Sequence, residues 1–280
     1  MCTLKYVNRK IVVYLKSFLK YLFSIIGIGI SRHKDLLLLK EKANNLKASL
    51  AIRSSLDLEL IRALNPAHYE LTISLLNMSK SQLKQDLFVL SETKYKTGGF
   101  FVEFGATNGI SLSNTHLLES EFKWKGILAE PARVWHKQLL ENRPLANIET
   151  LCVWKDSNSS LMFNETDFSE LSTISAFNSR DYHANNRLKG SLYKVDTISL
   201  NDLLKKNNAP YDIDYLSIDT EGSEYEILKA FDFTSYNVKI ITVEHNYTQQ
   251  RSLIFTLLTG KGYERKYENI SDFDDWYVKI

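Results

Sequence analysis

The chain has 280 residues, 44% hydrophobic and 24% charged: enough apolar material for one large α/β domain or two small ones, and too much for a disordered chain. Its two cysteines, Cys2 and Cys152, exclude a disulfide framework and a zinc site built on paired cysteines. A formal net charge of +2 argues against a dedicated nucleic-acid binder, and the charge is uneven: residues 1–60 hold 11 Lys/Arg against 4 Asp/Glu, leaving 24 against 29 for the rest.

Residues 1–35 read as a hydrophobic, basic, membrane-associating segment. The stretch 11–30, IVVYLKSFLKYLFSIIGIGI, has the length of a bilayer span. Lys16 and Lys20 interrupt it on one helix face, each costing roughly 2.5–3.5 kcal/mol near a bilayer centre. Lys5, Arg9 and Lys10 precede it, and Arg32 and Lys34 follow. That pattern suits a helix lying in the interface of an anionic membrane, its lysines reaching the headgroups. An amphipathic helix packed on protein is the plainer alternative. Residues 36–80 form a helical connector, with leucines recurring near every 3.6 residues and a break at Asn65-Pro66.

From residue 81 the texture is that of an α/β domain running to 280. Short β-rich runs at 100–104, 126–130, 148–154, 214–219 and 239–244 alternate with helical patterns at 112–121, 132–142, 201–206 and 224–231. Strands apolar on both faces, separated by helices, predict a mostly parallel sheet in a three-layer sandwich. Runs at 262–267 and 276–280 predict a closing antiparallel pair. The polar, aperiodic segment 161–195 reads as an insertion or substrate-facing loop; its Arg180, Tyr182, His183 and Arg187 are possible acceptor contacts.

Ligands of such sheets bind at the carboxyl ends of the strands. Glu103, Gly105, Glu130, Asp219, Glu221, Glu244 and His245 all fall there. Glu103-Phe104-Gly105-Ala106-Thr107-Asn108-Gly109 is neither the dinucleotide fingerprint nor a phosphate loop. Gly105 and Gly109 let backbone approach a ligand, Glu103 can accept from an amine, and Glu130 can take both hydroxyls of a ribose. S-adenosylmethionine carries both groups. Thr107, Asn108 and Asn114 are further candidate contacts, although such residues also belong at turns and caps. Trp154 is a candidate for adenine or for core packing.

The chain resembles the FkbM-type methyltransferases, on FVEFGATNG (101–109), SNTHLLE (113–119), WKGILAEP (124–131), SIDTEGSEYEIL (217–228) and ITVEHN (241–246). The resemblance covers most of 81–270 and none of 1–60. It implies a Rossmann-like class I methyltransferase fold with a seven-stranded sheet, S-adenosylmethionine as cofactor, and methyl transfer to a hydroxyl of a sugar or other secondary metabolite. A hydroxyl needs a base or a metal. His245 is read as the general base, with Asp219 and Glu221 orienting acceptor or cofactor. A divalent cation such as magnesium, held by Asp219, Glu221, Glu244 and His245, is the second option. The expected acceptor is a glycan, glycolipid or small metabolite at the cytoplasmic face of a membrane. Five N-x-[ST] sequences, at Asn77, Asn158, Asn164, Asn246 and Asn269, favour that face, because a glycan on Asn246 would obstruct the site. A membrane-tethered adaptor that retains the fold without catalysis is the rival reading.

Overall fold

The computed structural model describes residues 33–178, 181 and 183–280. The chain divides into two units, Met1–Ser55 and Leu56–Ile280. The described part of the first is the start of helix α1 (His33–Ala63). The stretch 11–30 expected to meet a membrane lies outside the described residues. Among the described residues no helix is long and apolar enough to cross a membrane. At the expected break, the Asn65 side chain accepts from the Ala67 N–H (3.0 Å) and Pro66 opens a single 3-10 turn. Helix α2 (Tyr69–Leu75) follows, then α3 (Gln85–Glu92).

Strand β1 (Phe100–Phe104) carries aromatic and β-branched side chains and becomes a central strand. After it come α4 (His116–Phe122), β2 (Lys125–Ala129), α5 (Arg133–Asn142) and β3 (Asn147–Glu149). The predicted strand 148–154 is in fact two. Glu149 Oε1 accepts from the N–H groups of both Thr150 and Leu151, turning the chain, so that β4 (Cys152–Trp154) enters a different sheet. That second sheet corrects the expected loop at 161–195. Strands β5 (Ser160–Thr166), β6 (Thr173–Ile174) and β7 (Gly190–Ser199) join β4 in the order β4-β7-β5-β6, with β5 antiparallel to β7 over seven residue pairs. Phe163, Ile174, Phe177 and Val195 bury its inner face against Cys152 and Ala132, and the half-buried Trp154 packs on Phe177.

The chain then returns through α6 (Leu200–Lys206), β8 (Asp212–Ile218), α7 (Glu224–Ala230), β9 (Asn237–Glu244), α8 (Gln250–Gly260), β10 (Tyr263–Lys266) and β11 (Asp274–Lys279). The main sheet has the order β10-β11-β9-β8-β1-β2-β3. All neighbours from β9 to β3 run parallel; β11 is antiparallel to both β9 and β10, the closing pair expected from the sequence. This is the seven-stranded arrangement that the resemblance implies. The strand order reverses between β1 and β8, which is where an open α/β sheet makes its ligand crevice.

Strand alternation sends β-sheet side chains to two cores. Val102, Ile127, Leu216, Ile241 and Val243 pack with Leu203, Leu228 and Leu258 of α6, α7 and α8. Phe101, Leu128, Tyr215, Ile240 and Trp276 pack on the opposite face with Phe88 of α3 and Leu118 of α4, and with Leu60, Leu64 and Leu75 from the helical connector. Each such Leu or Phe contributes roughly 1.5–3 kcal/mol by leaving water. The candidate site sits at the upper edge of this second face.

Candidate active site

The register of the strands stacks the site in rows. Glu103 pairs with Ser217, Ser217 with Thr242, and Thr242 with Trp276. One step beyond, on the same face, come Gly105, Asp219, Glu244 and Asp274, the last two paired directly. Gly105 has φ +73°, and a Cβ there would lie 2.0 Å from the Asp219 carbonyl oxygen. The turn after β1 is thus pressed onto the chain leaving β8, and only glycine fits.

Glu103 is tied into the segment that follows β1. Its carboxylate is buried and faces protein: it accepts from Ser113 Oγ (3.0 Å), the Asn114 N–H (2.7 Å) and Thr115 Oγ1 (2.5 Å). Burial raises its pKa, and the Arg143 guanidinium and these donors pull it back. Arg143 is itself buried and donates to both Glu119 oxygens (3.1 Å each), to Thr115 Oγ1 and to the Gly109 carbonyl. Gly109 (φ +80°) is needed because a Cβ would lie 2.6 Å from Arg143 Cγ, so its reason is this packing. Thr107 (φ 46°) donates its N–H to Glu130 Oε2 (2.9 Å), and Ala132 donates to Glu130 Oε1 (2.7 Å). Burial pushes Glu130 up to about 7 despite those two N–H groups. Asn108 caps its own turn, its Oδ1 accepting from the N–H groups of Ile110 and Ser111.

On the β8–β9 side the carboxylates have one another. Oxygens of Asp219, Glu221 and Glu244 lie within 4.8 Å of each other. Burial raises all three, Asp219 to about 7, and mutual repulsion adds to it. Glu221 stands at φ 58° just before Gly222, so the turn into α7 carries it inward. Arg187, fully buried in the segment between β6 and β7, reaches the cluster: it donates to Glu221 Oε2, to both oxygens of Asp181 and to the Leu171 carbonyl. The sequence offered Arg187 only as one of four polar residues in an aperiodic stretch; Arg180 and Tyr182 lie outside the described residues. His183 donates its N–H to Asp181 Oδ1.

His245 does not join the three carboxylates. It follows Glu244 and so faces the other way, where its Nε2 lies 3.7 Å from Asp275 and its Nδ1 accepts from the Tyr247 N–H (3.0 Å). Asp275 is bound in turn by Arg251 and Arg265. Burial lowers the pKa of His245, with Asp275 opposing. The groups that converge as possible metal ligands among the described residues are Asp219, Glu221 and Glu244, without the expected His245.

A family model described as the methyltransferase FkbM domain matches residues 103–277. The chain belongs to the FkbM methyltransferase family. No curated protein sequence matches it. Among solved structures, the FkbM methyltransferase from Methylobacillus flagellatus KT is similar at 12% identity, over 82% of this chain and 60% of that one, with a TM-score of 0.43. This chain thus spans about 60% of the length of that protein. The precorrin-6y C5,15-methyltransferase from Geobacter metallireducens GS-15 is similar at 11% identity over 69% and 85% of the two chains (TM-score 0.35). The ribosomal protein L11 methylase from Lactobacillus delbrueckii subsp. bulgaricus is similar at 9% over 70% and 77% (TM-score 0.34).

Proposed function

We propose that this FkbM-family protein transfers a methyl group from S-adenosylmethionine to a hydroxyl of a glycan, glycolipid or other secondary metabolite. The observation that carries the reading is the contact between the Gly105 turn and Asp219, which sets a strand-end turn fit for an adenosyl ligand against a row of carboxylates. Buried polar atoms without partners at the strand ends support a missing ligand, among them Asn114 Oδ1 after β1, Trp135 Nε1 after β2 and His245 Nε2 after β9. When bound, the cofactor supplies an electrophilic methyl on a positively charged sulfur. Glu130 keeps lone pairs beyond those used by Thr107 and Ala132, and with these it holds ribose hydroxyls.

The acceptor hydroxyl must lose its proton as its oxygen attacks. Asp219 takes that proton: a carboxylate raised to about 7 is matched to base catalysis near neutral pH. Glu221, tied to Arg187, orients the acceptor beside it. His245 acts from behind the strand, holding the turn at Tyr247. A divalent cation is the second reading for hydroxyl activation. It is favoured by the converging oxygens of Asp219, Glu221 and Glu244, the hard ligand set that magnesium takes, and a cation there would relieve their repulsion.

The test is transfer of label from methyl-labelled S-adenosylmethionine into a desalted glycolipid and metabolite extract, with and without a chelator. Transfer that survives chelation removes the cation; absence of both transfer and cofactor binding leaves the non-catalytic adaptor. Residues 11–30 are assigned to the cytoplasmic face of an anionic membrane, on the strength of the basic residues that flank them. Co-sedimentation with phosphatidylserine vesicles that persists after deletion of residues 1–32 would contradict that assignment.

A further inference from the structure

Between the N-terminus of α3 and the ends of β8, β9 and β11 lies a small pocket lined by Gln85, Asn114, Ser217, Asp219, Glu244 and Asp274, among others. It offers about 10 Å³, room for one water-sized group. Asn114 is 8% exposed and held twice: its N–H donates to Glu103, and its side-chain Nδ2 donates to Ser217 Oγ (3.0 Å). These bonds leave Oδ1 buried in the pocket wall with no donor. Three donors nearby are engaged elsewhere. Gln85 Nε2 and Trp276 Nε1 both serve Asp274 Oδ2, and the Thr242 hydroxyl pairs with that of Tyr215 (2.7 Å). The lining thus brings the Asn114 amide oxygen together with the carboxyl groups of Asp219, Glu244 and Asp274, beside Gln82, Gln85, Ser217 and Thr242.

We infer that this pocket receives a primary ammonium group, with Asn114 Oδ1 as the acceptor that positions it. An ammonium brings three donors and one positive charge in a volume close to that of water. A water molecule would satisfy Asn114 but leave the carboxylates unbalanced, and magnesium, which keeps several of its waters, needs more room. Resting on the cofactor reading above, the amine is that of the methionine portion of S-adenosylmethionine; the other source of the same chemistry is an amine on the acceptor. Glu103 accepts from Ser113, the Asn114 N–H and Thr115, and so sets the backbone from which Asn114 projects.

The experiment is calorimetry on the full chain, wild type and Asn114→Ala, with S-adenosylhomocysteine and with its deaminated analogue, which carries hydrogen in place of the amino group. Wild type is expected to prefer the amine by tenfold or more, and Asn114→Ala to bind the two within about threefold. Asn114→Asp keeps an acceptor oxygen and restores the preference; it also serves if the alanine variant fails to melt cooperatively. If the wild type binds both nucleosides alike while methylammonium raises its melting temperature but not that of Asn114→Ala, the amine is the acceptor's. Equal weakening of both nucleosides by Asn114→Ala, or no preference and no response to methylammonium, overturns the inference while leaving the cofactor reading intact. A wild type that binds neither nucleoside removes both.

Discussion

The two halves of the strand-end crevice use buried acids in opposite ways. On the β1–β2 side, Glu103 and Glu130 accept five hydrogen bonds from backbone and hydroxyl donors, three of them on Glu103. On the β8–β9–β11 side, Asp219, Glu221, Glu244 and Asp274 face one another, with Arg187, Gln85 and Trp276 as their main donors. Burial raises the pKa on both sides, so a raised pKa alone does not separate scaffold from site. The surroundings do: Glu103 accepts three hydrogen bonds from its own fold, whereas Asp219, Glu221 and Glu244 bring their oxygens within 4.8 Å of one another.

The contrast is broken most severely by removing the cation that serves the scaffold. Arg143→Met strands Glu119 and leaves Glu103 without its counter-charge, and is expected to cost about 3–5 kcal/mol of stability in urea unfolding. A loss below 1 kcal/mol would mean that the β1 loop is held by something else. On the other side Asp219→Asn should lower turnover by a factor on the order of 10²–10⁴.

The pH dependence sharpens the same distinction. Turnover should rise with pH through about 7 as Asp219 ionises, and the residual activity of Asp219→Asn should lack that step. Stability moves the other way. A carboxyl whose folded pKa is about 7 and whose ordinary value is 3.8 binds its proton more tightly when folded, so its contribution is complete below pH 4 and is lost as pH rises toward 7. Asp219→Asn should therefore melt higher than wild type at pH 8 and like it at pH 4. Smallest is the effect of His245→Gln, which keeps a ring-sized polar group near Asp275 and should leave turnover within about fivefold. A loss of 10²-fold with unchanged melting would return the base to His245.

The parallel core of the sheet was legible because β1, β8 and β9 are apolar on both faces and end abruptly in Gly or acid. The site was legible as a set of strand-end positions but not as directions. Glu244 and His245 are adjacent letters that alternation sends to opposite faces, and the sequence alone gave no reference for which face held the crevice. Glu103 looked like a ligand because its donors, Ser113 to Thr115, sit ten to twelve residues away in what reads as the start of a helix. The helix begins only at His116, after Leu112 at φ 62°, since those residues bond to Glu103 instead. The second sheet escaped because β5 and β7 carry polar residues such as Asn164 and Thr166 toward a buried side, where Asn164 bonds to Asn178 and the Arg187 carbonyl.

The central claim is that the carboxylate row at Asp219 performs chemistry while Glu103 builds the frame. It is tested most directly by single-turnover transfer of labelled methyl from S-adenosylmethionine into the extract, comparing Asp219→Asn with Glu103→Gln at matched fractions of folded, cofactor-bound protein. The account predicts that Asp219→Asn is slowed by at least 10²-fold and that Glu103→Gln, once folded and loaded, transfers within tenfold of wild type. Equal rates for wild type and Asp219→Asn would contradict it.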